Sequence, residues 1–153
     1  MKPRTPKELL QSEISLLPYK NTGWKIRCAA VFPSDYSAAM SNLGFQTLFE
    51  KMHDFQLFYP QRFFANLKSG SLEEKKPLTS FQLIMVSLSY EMDYFNMLKM
   101  FKYYGIAPNR KHRHRDRIVI AGGAAPSINP YPISLIADAI FIGEGGDCIE
   151  NII

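Results

Sequence analysis

The chain of 153 residues is the length of one domain, long enough to bury roughly two-thirds of its unfolded surface without disulfides or a structural metal. Hydrophobic residues make up 46% and charged residues 21%, which excludes a disordered or collagenous chain. The net charge is +4, the two cysteines (Cys28 and Cys148) form no CxxC pair, and no apolar run approaches the ~20 residues that span a bilayer. A zinc site, a dithiol redox motif and a membrane-spanning helix are thereby disfavoured, and the expected location is a reducing cytoplasm.

Residues 1–24 read as a helical lead-in. Leu9, Leu10, Glu13, Ile14, Leu16 and Leu17 trace one amphipathic face, Pro18 ends it, and Asn21-Thr22-Gly23 turns the chain. The α/β domain then runs over 25–153. Its first strand is IRCAAVF, 26–32, with Cys28 as a small core residue. Pro33 stops it, and Ser34-Asp35-Tyr36 forms a loop. Ser37 or Ser41 caps a helix at 38–52, carried by Met40, Leu43, Phe45, Leu48, Phe49 and Met52. A second strand is expected at 55–59, ended by Pro60, with a helical turn at 62–67. The aromatic run of Phe58, Tyr59, Phe63 and Phe64 reads either as core or as a contact surface.

The apolar segment at 82–88 is a buried parallel strand. The following helix, 91–104, is stopped by Gly105. Its methionines read as core rather than as a cofactor box. A basic loop leads to a strand at 117–121, then to Gly122-Gly123. Asn129-Pro130 opens a short helix near 131–136, and 139–142 is the last strand, followed by Gly143-Glu144-Gly145-Gly146. Strands alternating with helices predict an α/β fold: a flavodoxin-like or Rossmann-like doubly wound, mostly parallel five-stranded sheet in the order 2-1-3-4-5.

In open α/β sheets, ligands bind beyond the carboxyl ends of the strands. Four loops are expected there: Pro33-Ser34-Asp35-Tyr36, Ser87-Leu88-Ser89-Tyr90-Glu91, Gly122-Gly123-Ala124-Ala125-Pro126 and Gly143-Glu144-Gly145-Gly146. Glycines allow close backbone approach, serines donate and accept hydrogen bonds, and helix N-termini offer free N–H groups. The phosphate-binding GxxxxGK[ST], the dinucleotide fingerprint GxGxxG and the GxSxG elbow are absent. His112 and His114 form an HxH pair without a carboxylate cluster and read as solvated. His53 reads as a charge at a helix C-terminus. Glu91 and Asp93 point apart on a helix and serve its N-terminus better than acid–base chemistry. Residues 110–117 read as a solvated loop. Nucleic-acid binding through them ranks last, because no aromatic platform accompanies the charges.

Several motifs in order resemble a family. Pro33, Tyr36, Met40-Ser41-Asn42-Leu43-Gly44 and Gln46 are similar to the first loop and helix of a group of radical SAM proteins. Ser87-Leu88-Ser89-Tyr90-Glu91 with Asn96 and Leu98, Ala121-Gly122-Gly123 with Asn129-Pro130, and Asp138 leading to Ile142-Gly143-Glu144-Gly145 resemble its later signatures. The resemblance covers about residues 24–148. It implies an N-terminal, cobalamin (B12)-binding-like domain, with a radical SAM domain downstream that carries a CxxxCxxC motif for a [4Fe–4S] cluster and binds S-adenosylmethionine. Ser89 (or Ser87) and Gly122-Gly123 match features of cobalamin-binding domains. The DxHxxG cobalt-ligand motif is missing: Ser37 stands where the histidine would be and Met40 where the glycine would be. Any cobalamin would bind without a histidine from this loop.

The resemblance implies no catalytic residue and no metal ligand in this chain. The cofactor-contacting set it suggests is Ser34, Tyr36, Ser87, Ser89, Tyr90, Glu91, Gly122, Gly123, Ala124, Asn129, Gly143, Glu144 and Gly145. The expected function is that of a cofactor- or substrate-binding module for the radical SAM domain. The alternative is a docking or lid domain for that core, or for a protein or RNA partner.

Overall fold

A computed structural model describes residues 4–17 and 25–143. The expectations on Pro18, Asn21-Thr22-Gly23, Glu144, Gly145, Gly146 and Cys148 lie outside the described residues.

Five strands form one all-parallel sheet: β1 (Ile26–Phe32), β2 (Phe58–Phe64), β3 (Leu83–Ser87), β4 (Ile118–Gly122) and β5 (Ala139–Ile140). Their order is β2-β1-β3-β4-β5, as the alternation predicts. Among the described residues, α1 (Pro6–Ser12) precedes the sheet, and α2 (Tyr36–Met40), α3 (Leu43–Asp54), α4 (Met92–Tyr103) and α5 (Ala124–Ile128) lie in the connections between strands.

The core lies in two layers. On one face of the sheet, Phe45 and Met52 of α3 and Leu9 of α1 pack on Cys28, Ala30, Phe32 and Phe64. On the other face, Met97, Met100 and Phe101 of α4 and Ala125 of α5 pack on Ala29, Val31, Ile84, Val86 and Val119. Alternate residues of β1 thus serve opposite layers, which is why this strand reads as a continuous apolar run. Phe58, Phe63 and Phe64 of the aromatic run are core, and Tyr59 is half-buried with its hydroxyl donating to Glu74 Oε1 at 2.7 Å.

Several boundaries differ from the sequence pattern. The lead-in helix ends at Ser12, because Glu13 takes an extended conformation; Ile14 and Leu16 are exposed. The helix expected at 38–52 is two. Asp35, not Ser37 or Ser41, caps α2 by accepting the Ala38 N–H at 2.8 Å, and Asn42 restarts the chain as α3 by accepting that of Phe45 at 2.9 Å. Strand β2 passes through Pro60 to Phe64, overriding both the stop at Pro60 and the helical turn at 62–67. Proline is tolerated because β2 is an edge strand, paired only with β1. The short helix α5 replaces an expected loop, and a 3-10 turn at Tyr131–Ile133 replaces the helix near 131–136.

The outer edge of β2 is covered. The Leu72 N–H donates to the Arg62 carbonyl at 2.8 Å, and the Arg62 N–H donates to Glu73 Oε2 at 2.7 Å. The Arg62 side chain is buried. It donates through Nε to Glu73 Oε1 at 2.7 Å and through both terminal nitrogens to Glu13, at 2.7 and 2.9 Å. Burial opposes its charge, but the two carboxylates outweigh that and raise its pKa. One guanidinium thereby ties the N-terminal segment and the 71–76 loop to the sheet.

Candidate functional site

The parallel order places the loops after β1, β3, β4 and β5 on one edge, and the reversal of strand order between β1 and β3 makes the crevice where such folds hold ligands. In this protein the crevice is bridged by protein. Asn42 Nδ2, at the start of α3, donates to Ser89 Oγ, after β3, at 3.0 Å. The same asparagine caps α3 with its Oδ1. The Ser89 and Tyr90 N–H groups both donate to Asp93 Oδ2, at 2.8 and 2.9 Å. Asp93 is buried and bends the β3 loop back onto its own helix.

The loops after β3 and β4 are laced together. The Leu88 N–H donates to the Gly122 carbonyl at 2.8 Å, and the Ala125 N–H to the Leu88 carbonyl at 3.2 Å. Gly123 sits at φ +113°, where a Cβ would come within 2.4 Å of the Leu88 oxygen. This glycine is required by the neighbouring loop. The Ser127 hydroxyl donates to the Gly123 carbonyl at 2.8 Å and accepts the Gly143 N–H at 3.0 Å, tying the β4 loop to the β5 loop.

Of the residues expected at this edge, Ser87, Ser89, Gly122, Gly123 and Gly143 lie along it, and Ser89, Gly122, Gly123 and Gly143 bond to Asn42, Asp93, Leu88 and Ser127. Ser87 is buried and pairs in register with Gly122. Tyr90, Glu91 and Ala124 are exposed beside them. Glu144 and Gly145 are outside the described residues. The Ser34 carbonyl accepts the Ala65 N–H at 2.8 Å, joining the β1 and β2 loops. Asn129 is spent locally: its carbonyl accepts from the Tyr94 hydroxyl at 3.0 Å and its Oδ1 from the Tyr131 N–H at 3.2 Å.

Tyr36 turns toward the N-terminal segment rather than the crevice. Its hydroxyl donates to Glu13 Oε1 at 2.6 Å, and its ring meets Phe64 edge-on at 5.5 Å. Burial and that carboxylate push its pKa up to about 12.

Asn42, Ser127 and Asp93 carry the lacing and are not among the residues the sequence suggests for this edge. Asn42 is signalled by an asparagine directly before an apolar helical run. Ser127 has no clear signal: its bond to the Gly123 carbonyl four residues back is the ordinary bond of a helical serine, and its second partner, the Gly143 N–H, is brought by the tertiary fold.

The corrinoid implied by the resemblance finds little to hold it among the described residues. Asp35 is engaged as a cap and accepts from the Ser37 hydroxyl at 2.7 Å. The space beside Gly123 is filled by Leu88 backbone. The Asp35 loop thus offers no ligand for a cobalt ion, and Gly123 offers no space for a corrin ring.

Beside exposed Asp35, Ser37, Glu91 and Asn129, the edge exposes a set of large apolar side chains. Leu43 opens α3, Tyr90 and Met92 precede and begin α4, Ile128 ends α5, Tyr131 follows it and Ile142 follows β5; all are more than half exposed. Elsewhere, a groove of about 270 Å³ between α4 and the segment after β2 is lined by Phe64, Lys68, Asn96, Lys99 and Tyr103, and contains none of the expected site residues.

Residues 44–153 match the family described as radical SAM proteins, N-terminal. The chain belongs to that family. It is also 26% identical over 127 residues to an uncharacterized protein of Methanocaldococcus jannaschii. That match takes in 82% of this chain but 26% of the relative, so the chain spans about a quarter of the relative's length. No solved structure matches it. Among the described residues, no helix of this radical SAM N-terminal domain is long and apolar enough to cross a membrane.

Proposed function

We propose that this domain is a non-catalytic module of a radical SAM enzyme, and that its carboxyl edge is the face turned toward the radical SAM domain. The observation that carries this reading is the contrast within the edge: the polar groups of its loops bond to one another, while Leu43, Tyr90, Met92, Ile128, Tyr131 and Ile142 are left exposed around them. A ligand cradle presents unsatisfied polar groups, whereas a protein contact presents apolar and aromatic side chains with a satisfied polar background.

Chain direction supports the same partner. Strand β5 runs toward this edge, so whatever follows it in the polypeptide begins there. A neighbour tethered at the edge docks at high effective concentration.

Tyr90→Asp with Tyr131→Asp tests the reading in the longer radical SAM protein. Both side chains are exposed, so the domain's own stability is expected to change by about 0.5 kcal/mol or less. Cleavage between the two domains by a protease is expected to accelerate, and the scattering radius of the whole protein to grow. Unchanged cleavage and an unchanged radius would rule out this edge as the docking face.

A further inference from the structure

The segment Arg110-Lys111-His112-Arg113-His114-Arg115-Asp116-Arg117 holds five Lys and Arg against one Asp, a net of four positive charges. The whole chain has a net charge of +4, so the rest of the sequence is balanced. The segment lies before β4 and therefore at the amino edge of the sheet, opposite the docking edge.

Its cations divide into two groups. Arg113 and Arg117 hold the loop. The Arg113 side chain is 1% exposed and donates to Asp138 Oδ2 at 2.6 Å and to the Ile136 carbonyl at 2.8 Å. Asp138 also accepts the Val119 N–H at 2.8 Å, which fixes the pair to β4. Arg117 donates to the Thr79 and Phe81 carbonyls, at 2.8 and 3.4 Å. The Arg110 N–H donates to the Leu135 carbonyl at 3.0 Å, and the Asn109 side chain accepts the Lys111 N–H at 2.9 Å to start a 3-10 turn.

Arg110, Lys111 and Arg115 form the second group, with His112 beside them. They are exposed and make no ion pair among the described residues. The nearby carboxylate Asp116 lies 3.3 Å from His114. Arg110, His114, Arg115 and Arg117 line a groove of about 420 Å³.

We infer that this loop is a binding surface for the phosphate backbone of single-stranded nucleic acid. A loop pinned by two buried or half-buried arginines presents its remaining cations on an ordered backbone, so binding costs side-chain entropy but little backbone entropy. Two of the three are arginines, and His112 lies beside them. The planar guanidinium forks phosphate and stacks on bases, so the set suits a nucleic acid better than an acidic polypeptide. The surface remains open when the opposite edge is covered, so it does not depend on the docking reading.

The test is fluorescence anisotropy of the full chain with a labelled single-stranded RNA of about 20 nucleotides, at about 50 to 200 mM salt. Affinity is expected to fall steeply with salt. Arg110→Glu with Arg115→Glu is expected to weaken binding about tenfold or more and to reduce the log–log salt slope by about two. The milder Arg110→Gln with Arg115→Gln is expected to give a smaller loss at an unchanged melting temperature. Lys7→Glu with Lys99→Glu alters the net charge equally on other surfaces and is expected to leave the slope unchanged. Absence of binding at about 50 mM salt, an equal loss in both Glu pairs, or equal competition by polyglutamate would each overturn the inference.

Discussion

Gly123 shows how a residue that looks like a ligand contact belongs to the scaffold. Its φ of +113° and the 2.4 Å approach of a would-be Cβ to Leu88 leave room for hydrogen alone. Gly123→Ala is therefore expected to destabilise the domain by about 1–3 kcal/mol in urea unfolding. A variant as stable as the parent would show that the β3 and β4 loops are not packed as described. The glycine pair is legible in the sequence, but its reason is not, because the backbone it meets lies 35 residues away in the chain. Asp93 is the converse case. Its position near a helix start suggests a carboxylate serving its own helix. The two N–H groups it accepts instead bend the β3 loop, which only the folded chain reveals.

At the scale of elements, the 71–76 loop is joined to the sheet by carboxylates. Glu74 accepts from Arg27 at 2.9 Å and from the Tyr59 hydroxyl at 2.7 Å. Burial raises its pKa, but the hydrogen bonds from Tyr59 and Arg27 outweigh that and lower it from 4.5 to about 2. A carboxylate with a depressed folded pKa stabilises the fold above its unfolded pKa, and that share is lost as pH falls from about 4.5 toward 2. The group is about a quarter exposed, so solvent screening leaves about 1–2 kcal/mol. Glu74→Gln is expected to lower stability at neutral pH by that amount and to flatten the stability curve across the acid window. An equally steep curve in the variant would assign the acid sensitivity elsewhere. Elements were legible where the apolar pattern was unbroken, as in β1, β3 and α4. The pattern failed where a proline sits inside an edge strand, as in β2. It also failed where a helix is interrupted without losing its periodicity, as at Ser41-Asn42.

For the whole molecule, the alternation of strands and helices was enough to give the sheet order, since right-handed crossovers leave few alternatives. The candidate edge followed from the same rule, but its character did not. Sequence shows which polar residues follow each strand, not whether they bond to a ligand or to one another. The two edges now have distinct chemistry: a laced, apolar-rimmed carboxyl edge and a cationic loop at the amino edge. The most direct measurement of the central claim is amide hydrogen exchange in the longer radical SAM protein and in this chain alone. Segments 33–37, 87–92, 122–131 and 141–143 are expected to exchange more slowly in the longer protein, with segment 110–117 unchanged. Equal exchange of the four edge segments in both proteins would contradict the account.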